Sequence, residues 1–189
     1  MKILVIDSIP TSKDVCTVSF TERSPCKDYI EHSNGLLNVF KQIFPRAELI
    51  FCNIAHDQGD TYYSCLENHK NFNKALKWAV GKEFDAIYAQ VQFYCPSDAD
   101  KSTKKKHTGT RTTTSKCIKK LGIPLVCPAE NSEEERVDHV IFSPSYEEAE
   151  YVSSIKNCWP STTVVKSKKY KWTSELAIVR LEQMLNPSR

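Results

Sequence analysis

Residues 2–6, KILVI, form a nearly uninterrupted apolar run, and the acidic residue Asp7 follows it directly. A strand without polar alternation is typical of a parallel sheet that helices cover on both faces. Similar runs at AELIFCNI and FDAIYAQVQF alternate with amphipathic helical patterns at HSNGLLNVFKQIF and NFNKALKWAVGKEF. The sequence therefore predicts an α/β fold, a doubly wound and mostly parallel sheet with helices on both faces.

The same alternation continues in the second half of the chain. SKCIKKLGIPLVCPAEN combines a short helix, a glycine stop at Gly122 and a strand at 123–127. VDHVIFSP predicts another strand, TTVVK predicts a short one, and WTSELAIVRLEQML predicts a last helix. We therefore expect residues 1–189 to form a single domain.

Composition narrows the class of protein. The chain has 189 residues, of which 40% are hydrophobic, enough to bury a core without disulfides. The eight cysteines are scattered without CxxC pairs, so we expect reduced thiols and neither a metal site nor a cofactor. No stretch approaches the roughly 18 apolar residues of a membrane helix. These features predict a cytoplasmic protein without a membrane partner.

Positive charge is concentrated in one segment. The net charge is only +3, but residues 101–120 contain STKKKHTGTRTTTSKCIKK. Its serines, threonines and glycine predict a flexible basic loop at about 97–115. Because this segment has no aromatic side chain for base stacking, nucleic-acid binding is not favoured.

Four polar residues follow predicted strands or begin predicted helices. Asp7 follows the first strand, His32 begins the next helix, Asn131 follows the strand in GIPLVCPAE, and Ser174 begins the last helix. Because parallel strands end at one edge of a sheet, we expect these side chains to share that edge. Taken singly, each is also explained as a cap or a strand-end residue.

The segments around these residues resemble the motifs of the subtilase family, the subtilisin-like serine peptidases. ILVIDS resembles the aspartate motif, and EHSNGLLNVFKQIFPRAELIFCNI is similar to the histidine motif. GIPLVCPAENS resembles the strand that ends in the oxyanion asparagine, and WTSELAIVRLEQML resembles the serine motif. The resemblance spans nearly the whole chain, in the order Asp, His, Ser that subtilisin has.

This resemblance implies a catalytic role for each of the four residues. Ser174 would be the nucleophile, His32 the base that takes its proton, and Asp7 the carboxylate that orients the imidazole. Asn131 would donate its amide to the oxyanion of the tetrahedral intermediate. The implied function is a serine endopeptidase.

The resemblance also implies where substrate binds. NKALKWAVGKEFDAIYAQV resembles the helix and strand that lead to the family's substrate-binding edge, which places Gln90, Val91 and Gln92 there. A peptide would pair with this edge as an added strand. The implied partners are a peptide or protein substrate and a regulatory protein.

Departures from the motifs keep a second hypothesis open. Trp172 replaces the glycine that ordinarily precedes Thr-Ser, Ser33 replaces the glycine after the histidine, and Glu130 replaces the glycine before the asparagine. These changes are expected in a catalytically inactive subtilase-fold module that binds a peptide or protein. A response-regulator receiver is not favoured, because FDAIYAQVQF lacks an aspartate to accept a phosphoryl group.

Overall fold

The computed structural model describes residues 1–22, 24–54, 62–90, 100–129, 149–153 and 162–187. Its strands are β1 (Lys2–Asp7), β2 (Cys16–Ser19), β3 (Glu48–Asn53), β4 (Ala86–Ala89), β5 (Leu125–Pro128), β6 (Glu150–Ser153) and β7 (Thr162–Val164). Its helices are α1 (Lys27–Ile43), α2 (Tyr62–Ala79), α3 (Lys101–Leu121) and α4 (Thr173–Leu185). Together these elements form an α/β fold.

All seven described strands pair in parallel in one sheet, in the order β2-β3-β1-β4-β5-β6-β7. β1 lies inside the sheet, between β3 and β4. Its side chains from Ile3 to Ile6 have no exposed surface. This burial on both faces explains why the strand is apolar without alternation, and it confirms the predicted parallel sheet.

Helices cover both faces of the sheet. On one face, α1 and α4 bury their apolar stripes, including Phe40 of α1 and Ile178 of α4. On the other face, α2 and α3 pack with Phe72, Leu76 and Ile118 against the strands. The predicted doubly wound arrangement is therefore confirmed.

The carboxyl ends of the central strands form the edge that carries the candidate site. β1 ends there with Asp7, in register with Asn53 of β3. The last residues of α4 lie at the opposite edge, because Asn186 lines a surface pocket together with Met1 and Phe44. The first turn of α4, which contains Ser174, therefore points to the edge of Asp7.

The basic segment was predicted as a loop at about 97–115, and this prediction is wrong where the structure describes the segment. Residues 101–121 form the 21-residue helix α3. The side chain of Asp100 caps it by accepting from the backbone N–H of Thr103 at 2.8 Å. Gly122 ends it in the left-handed conformation, as the predicted glycine stop requires.

The short helix predicted at SKCIKK is the last part of α3, and the earlier part escaped prediction because its buried face is partly polar. His107 and Thr114 are buried on α3, where an amphipathic pattern would place leucine or isoleucine. The Thr114 hydroxyl donates to Asn73 Oδ1 of α2 at 2.6 Å and contacts His69 Nε2 at 2.9 Å. Asn73 Nδ2 donates to the carbonyl of Thr110 at 3.1 Å. Hydrogen bonds thus take the place of apolar contacts between α2 and α3.

Other boundaries also differ from the prediction. α1 begins at Lys27, so His32 is the sixth helical residue rather than the first. β2 is a short, largely exposed edge strand without an apolar signal, and β6 was not predicted as a strand. The strand predicted at VDHVIFSP lies outside the described residues. Within those residues, no helix is both long and apolar enough to cross a membrane.

The α2–α3 contact predicts a loss of stability in acid. Burial, with His107 and Arg111 nearby, lowers the pKa of His69 from 6.5 to about 3. Since the folded-state pKa is depressed, unfolding binds a proton, and stability falls as pH decreases from 6.5 towards 3. The measurement is the free energy of unfolding from urea titrations between about pH 6 and 4. In the His69→Gln variant it should fall by about 1.4 kcal/mol per pH unit less than in the wild type. An unchanged slope would contradict the assignment.

Candidate active site

Asp7 and His32 meet at the carboxyl edge of the sheet. His32 Nδ1 lies 2.9 Å from Asp7 Oδ2. Asp7 is buried at the end of β1, whereas the His32 side chain is 36% exposed. A carboxylate on Nδ1 fixes the tautomer with the proton on that nitrogen and leaves Nε2 as the basic atom. The pair therefore has the arrangement of a general base with its orienting carboxylate.

The surroundings favour the protonated state of His32. The hydrogen bond to Asp7 raises the pKa of His32 above 6.5, burial opposes this, and the charge of Asp7 adds to the increase. The imidazolium that forms when Nε2 gains a proton is thus stabilised by Asp7. This is the state that a general base reaches when it takes a proton from a nucleophile.

A second donor holds the same carboxylate oxygen. The hydroxyl of Ser33, which is fully buried, donates to Asp7 Oδ2 at 2.9 Å. Ser33 stands where the subtilase motif has a glycine, so this contact depends on the departure from the motif. The sequence did not single out Ser33 as a site residue. Its position directly after His32, on the inward side of α1, was the available signal.

Ser174 lies in the first turn of α4 and is half-buried. Glu175 fixes this turn, because its Oε2 accepts from the backbone N–H groups of Lys171 and Trp172 at 3.0 and 3.1 Å. Within the part of the chain that the structure describes, the Ser174 hydroxyl makes no hydrogen bond to His32. Catalytic hydrogen bonds are often long before substrate binds.

Trp172 precedes this turn and is the most exposed large apolar side chain of the described residues, at 68%. An indole held in water beside a candidate nucleophile offers a flat apolar surface. The glycine at this position of the subtilase motif has no side chain. A protein with tryptophan here and a protein with glycine here would therefore present different surfaces to a ligand.

The predicted substrate edge is described only at Gln90. Its backbone N–H donates to the carbonyl of Ile6 at 2.9 Å, which extends the pairing of β4 with β1. Its side-chain Oε1 accepts from the Tyr88 hydroxyl at 2.7 Å. Burial, together with the charge of Asp7, raises the pKa of Tyr88, so this hydroxyl stays protonated. Val91, Gln92 and Asn131 lie outside the described residues.

No protein-family model and no curated protein sequence matches this chain. Its structure is similar to the PatG macrocyclase in complex with peptide, with a TM-score of 0.60 and 12% identity over 98% of this chain and 74% of that one. It is also similar to the MycP3 protease from the type VII (ESX-3) secretion system, with a TM-score of 0.60 and 11% identity over 100% of this chain and 72% of that one.

A third similar structure is the S218A mutant of the protease domain of PatA, with a TM-score of 0.58 and 10% identity over 98% and 78% of the two chains. These neighbours have the subtilisin fold. At such low identity the likeness shows the fold alone. It confirms the resemblance at that level, and the chain has a subtilisin-like α/β fold.

Ser33→Ala should destabilise the protein by about 1.5–3 kcal/mol, because it removes a buried hydrogen bond to a charged group. The matched control is Ser8→Ala, since the fully buried Ser8 hydroxyl has no partner among the described residues. Removing an unsatisfied hydroxyl should change stability by less than about 1 kcal/mol. Urea unfolding of both variants tests this, and equal losses would contradict the role of Ser33.

Asp7→Asn should lower the pKa of His32 below 6.5, because burial then acts without the opposing carboxylate. NMR titration of the imidazole ring measures this pKa directly. In the wild type the raised pKa stabilises the fold below pH 6.5, and the contribution is lost as pH rises through the folded-state pKa. If His32 titrates in the Asp7→Asn variant as it does in the wild type, the Asp7–His32 bond is not formed in solution.

Proposed function

We propose that this protein is a serine endopeptidase that cleaves peptide bonds with Ser174, His32 and Asp7. The observation that carries the proposal is the 2.9 Å contact between His32 and the buried Asp7 at the carboxyl edge of a subtilisin-like sheet. A buried carboxylate on Nδ1 is the arrangement that orients a histidine as a general base in a catalytic triad. The direction of α4, which brings its first turn to the same edge, supports Ser174 as the nucleophile.

In the proposed reaction, His32 Nε2 takes the proton from the Ser174 hydroxyl as its oxygen attacks the substrate carbonyl carbon. Asp7 stabilises the resulting imidazolium and remains ionised. The carbonyl oxygen becomes an oxyanion, for which Asn131 is the proposed donor. His32 then returns the proton to the leaving amine, and water hydrolyses the acyl-enzyme by the same steps.

The substrate is proposed to be a polypeptide that pairs with residues 90–92 as an added strand. The exposed indole of Trp172 would contact a substrate side chain close to the cleaved bond. A regulatory protein that covers this edge would control the activity. We place the reaction in the cytoplasm, since five cysteines are free thiols, as in reducing compartments: Cys16, Cys26, Cys52, Cys117 and Cys127.

A second candidate function is peptide or protein binding without cleavage. One observation favours it: within the described residues, Ser174 makes no hydrogen bond to His32. Trp172 stands where the motif has a glycine, so the backbone at the start of α4 can adopt fewer conformations. A subtilisin-like fold is compatible with both functions, because the fold itself carries no activity.

The two functions differ in their reaction with a fluorophosphonate, which modifies only an activated serine. We expect a single adduct in the intact mass of the wild type, complete loss of this adduct in Ser174→Ala, and labelling at least about 100-fold slower in His32→Ala, as for loss of a general base. Ser102→Ala, which removes an exposed serine at the start of α3, should label like the wild type.

Circular dichroism of each variant establishes that it is folded. A folded wild type without an adduct would contradict the peptidase proposal and favour the binding module. An adduct that persists in Ser174→Ala would mean that another serine reacts, and it would remove Ser174 from the mechanism.

A further inference from the structure

α3 carries eight cations and no acidic residue in its 21 positions. The whole chain has 26 Lys and Arg residues against 23 Asp and Glu residues, so the rest of the chain holds 18 cations against 23 acids. The net positive charge of this protein therefore comes from one helix, because the remainder is net negative. The cations are Lys101, Lys104, Lys105, Lys106, Arg111, Lys116, Lys119 and Lys120.

Buried contacts determine which lysines face outward. Thr114 and His107 point into the protein, and the hydrogen bonds of Thr114 to α2 fix the rotation of the helix. At 3.6 residues per turn, five exposed lysines lie opposite them within an arc of about 100° and span about 28 Å, and one of the five, Lys119, has an interaction of its own. We call the surface formed by the other four, Lys101, Lys105, Lys116 and Lys120, the α3 basic face.

The α3 basic face is not neutralised by the described part of the chain. Two exposed lysines of the other helices pair with glutamates, Lys27 with Glu31 at 3.4 Å and Lys70 with Glu67 at 3.1 Å. None of the four lysines of the α3 basic face forms an ion pair with a described residue. Like charges on neighbouring turns destabilise a helix, so this pattern does not serve the stability of α3.

One end of the α3 basic face lies at the edge of the sheet that carries Asp7. β4 ends at that edge, and β5 begins at the opposite one, because the two strands are parallel. α3 connects them and therefore runs back from the edge of Asp7, with Lys101 and Lys105 in its first turns. These first turns share the edge of Asp7, but α3 and α1 cover opposite faces of the sheet. A chain bound along the α3 basic face therefore reaches His32 by crossing this edge.

The charge distribution favours a short acidic peptide as the occupant. An extended strand rises about 3.3 Å per residue, so the face accommodates about eight residues. A nucleic acid longer than the helix would also meet the net negative remainder of the protein. α3 also has no aromatic side chain on which bases of a single strand could stack.

We propose that the α3 basic face is the docking surface for an acidic stretch of the polypeptide on which the active site acts. That the bound polypeptide is the substrate rests on the proposed function, whereas the surface itself is defined by charge and position alone. Aspartate and glutamate side chains would pair with the exposed ammonium groups, and the bound segment would lead into the catalytic edge.

Binding is tested with Ser174→Ala protein, which cannot cleave, and a fluorescein-labelled 12-residue peptide of alternating Glu and Ser. Fluorescence anisotropy should show binding that weakens as salt is raised from 50 to 300 mM, and a Gln-Ser peptide should not bind. In the triple variant Lys101→Gln, Lys105→Gln, Lys116→Gln, we expect the Kd to rise by about tenfold or more, from three lost charge pairs.

The matched control is Lys13→Gln, Lys41→Gln, Lys168→Gln, which removes the same charge from exposed positions outside α3. Its Kd should change by less than about twofold if the site is local. Equal weakening in both triple variants, or no binding by the parent protein, would overturn the inference. Tighter binding of a 12-base-pair DNA duplex through the α3 lysines would overturn it as well, in favour of a nucleic-acid surface.

The outcome is independent of the fluorophosphonate result. Acidic-peptide binding through α3 in a protein whose Ser174 is never labelled would support the docking surface and contradict only the proposed cleavage. Labelling of Ser174 in a protein that does not bind the peptide would contradict the docking surface and leave the peptidase intact. Glutamine keeps the helix propensity of lysine, so the variants should remain folded, which thermal unfolding measures.

Discussion

The burial of β1 on both faces of the sheet is the constraint from which the rest of the structure follows. Its apolar side chains have no exposed surface, and its backbone is paired on both sides. A strand in this environment must end where the sheet meets solvent, and the first polar side chain there is Asp7. The carboxylate is still buried, so it requires donors, and α1 supplies them through His32 and Ser33.

Buried polar side chains on the opposite face of the sheet also form hydrogen bonds with one another. Between α2 and α3, Thr114, His69 and Asn73 are buried, and hydrogen bonds join them across the interface. This contact orients a helix whose exposed side carries six lysines and no acidic residue. The polar interface between α2 and α3 thus determines which way the lysines of α3 face. Packing in the interior therefore controls the position of the proposed docking surface.

The candidate site joins elements that are distant in the chain. Asp7 and His32 are 25 residues apart, and their bond needs only β1 and α1 in their observed places. Ser174 arrives from the far end of the chain on α4, whose apolar stripe packs on the same face as α1. The proposed chemistry therefore depends on the packing of two helices against one face of the sheet.

The sequence by itself determined the fold class, because runs such as KILVI and helical patterns such as that of α4 report burial directly. It also indicated Asp7 and His32 as neighbours, through motif resemblance and the rule that parallel strands end together.

Only the tertiary structure decided that residues 101–114 are helical, since a buried face of threonine and histidine gives no apolar periodicity. It alone decided that Ser33 holds Asp7. Hydrogen bonds between side chains depend on which elements pack together, and a periodicity within one segment does not contain that information.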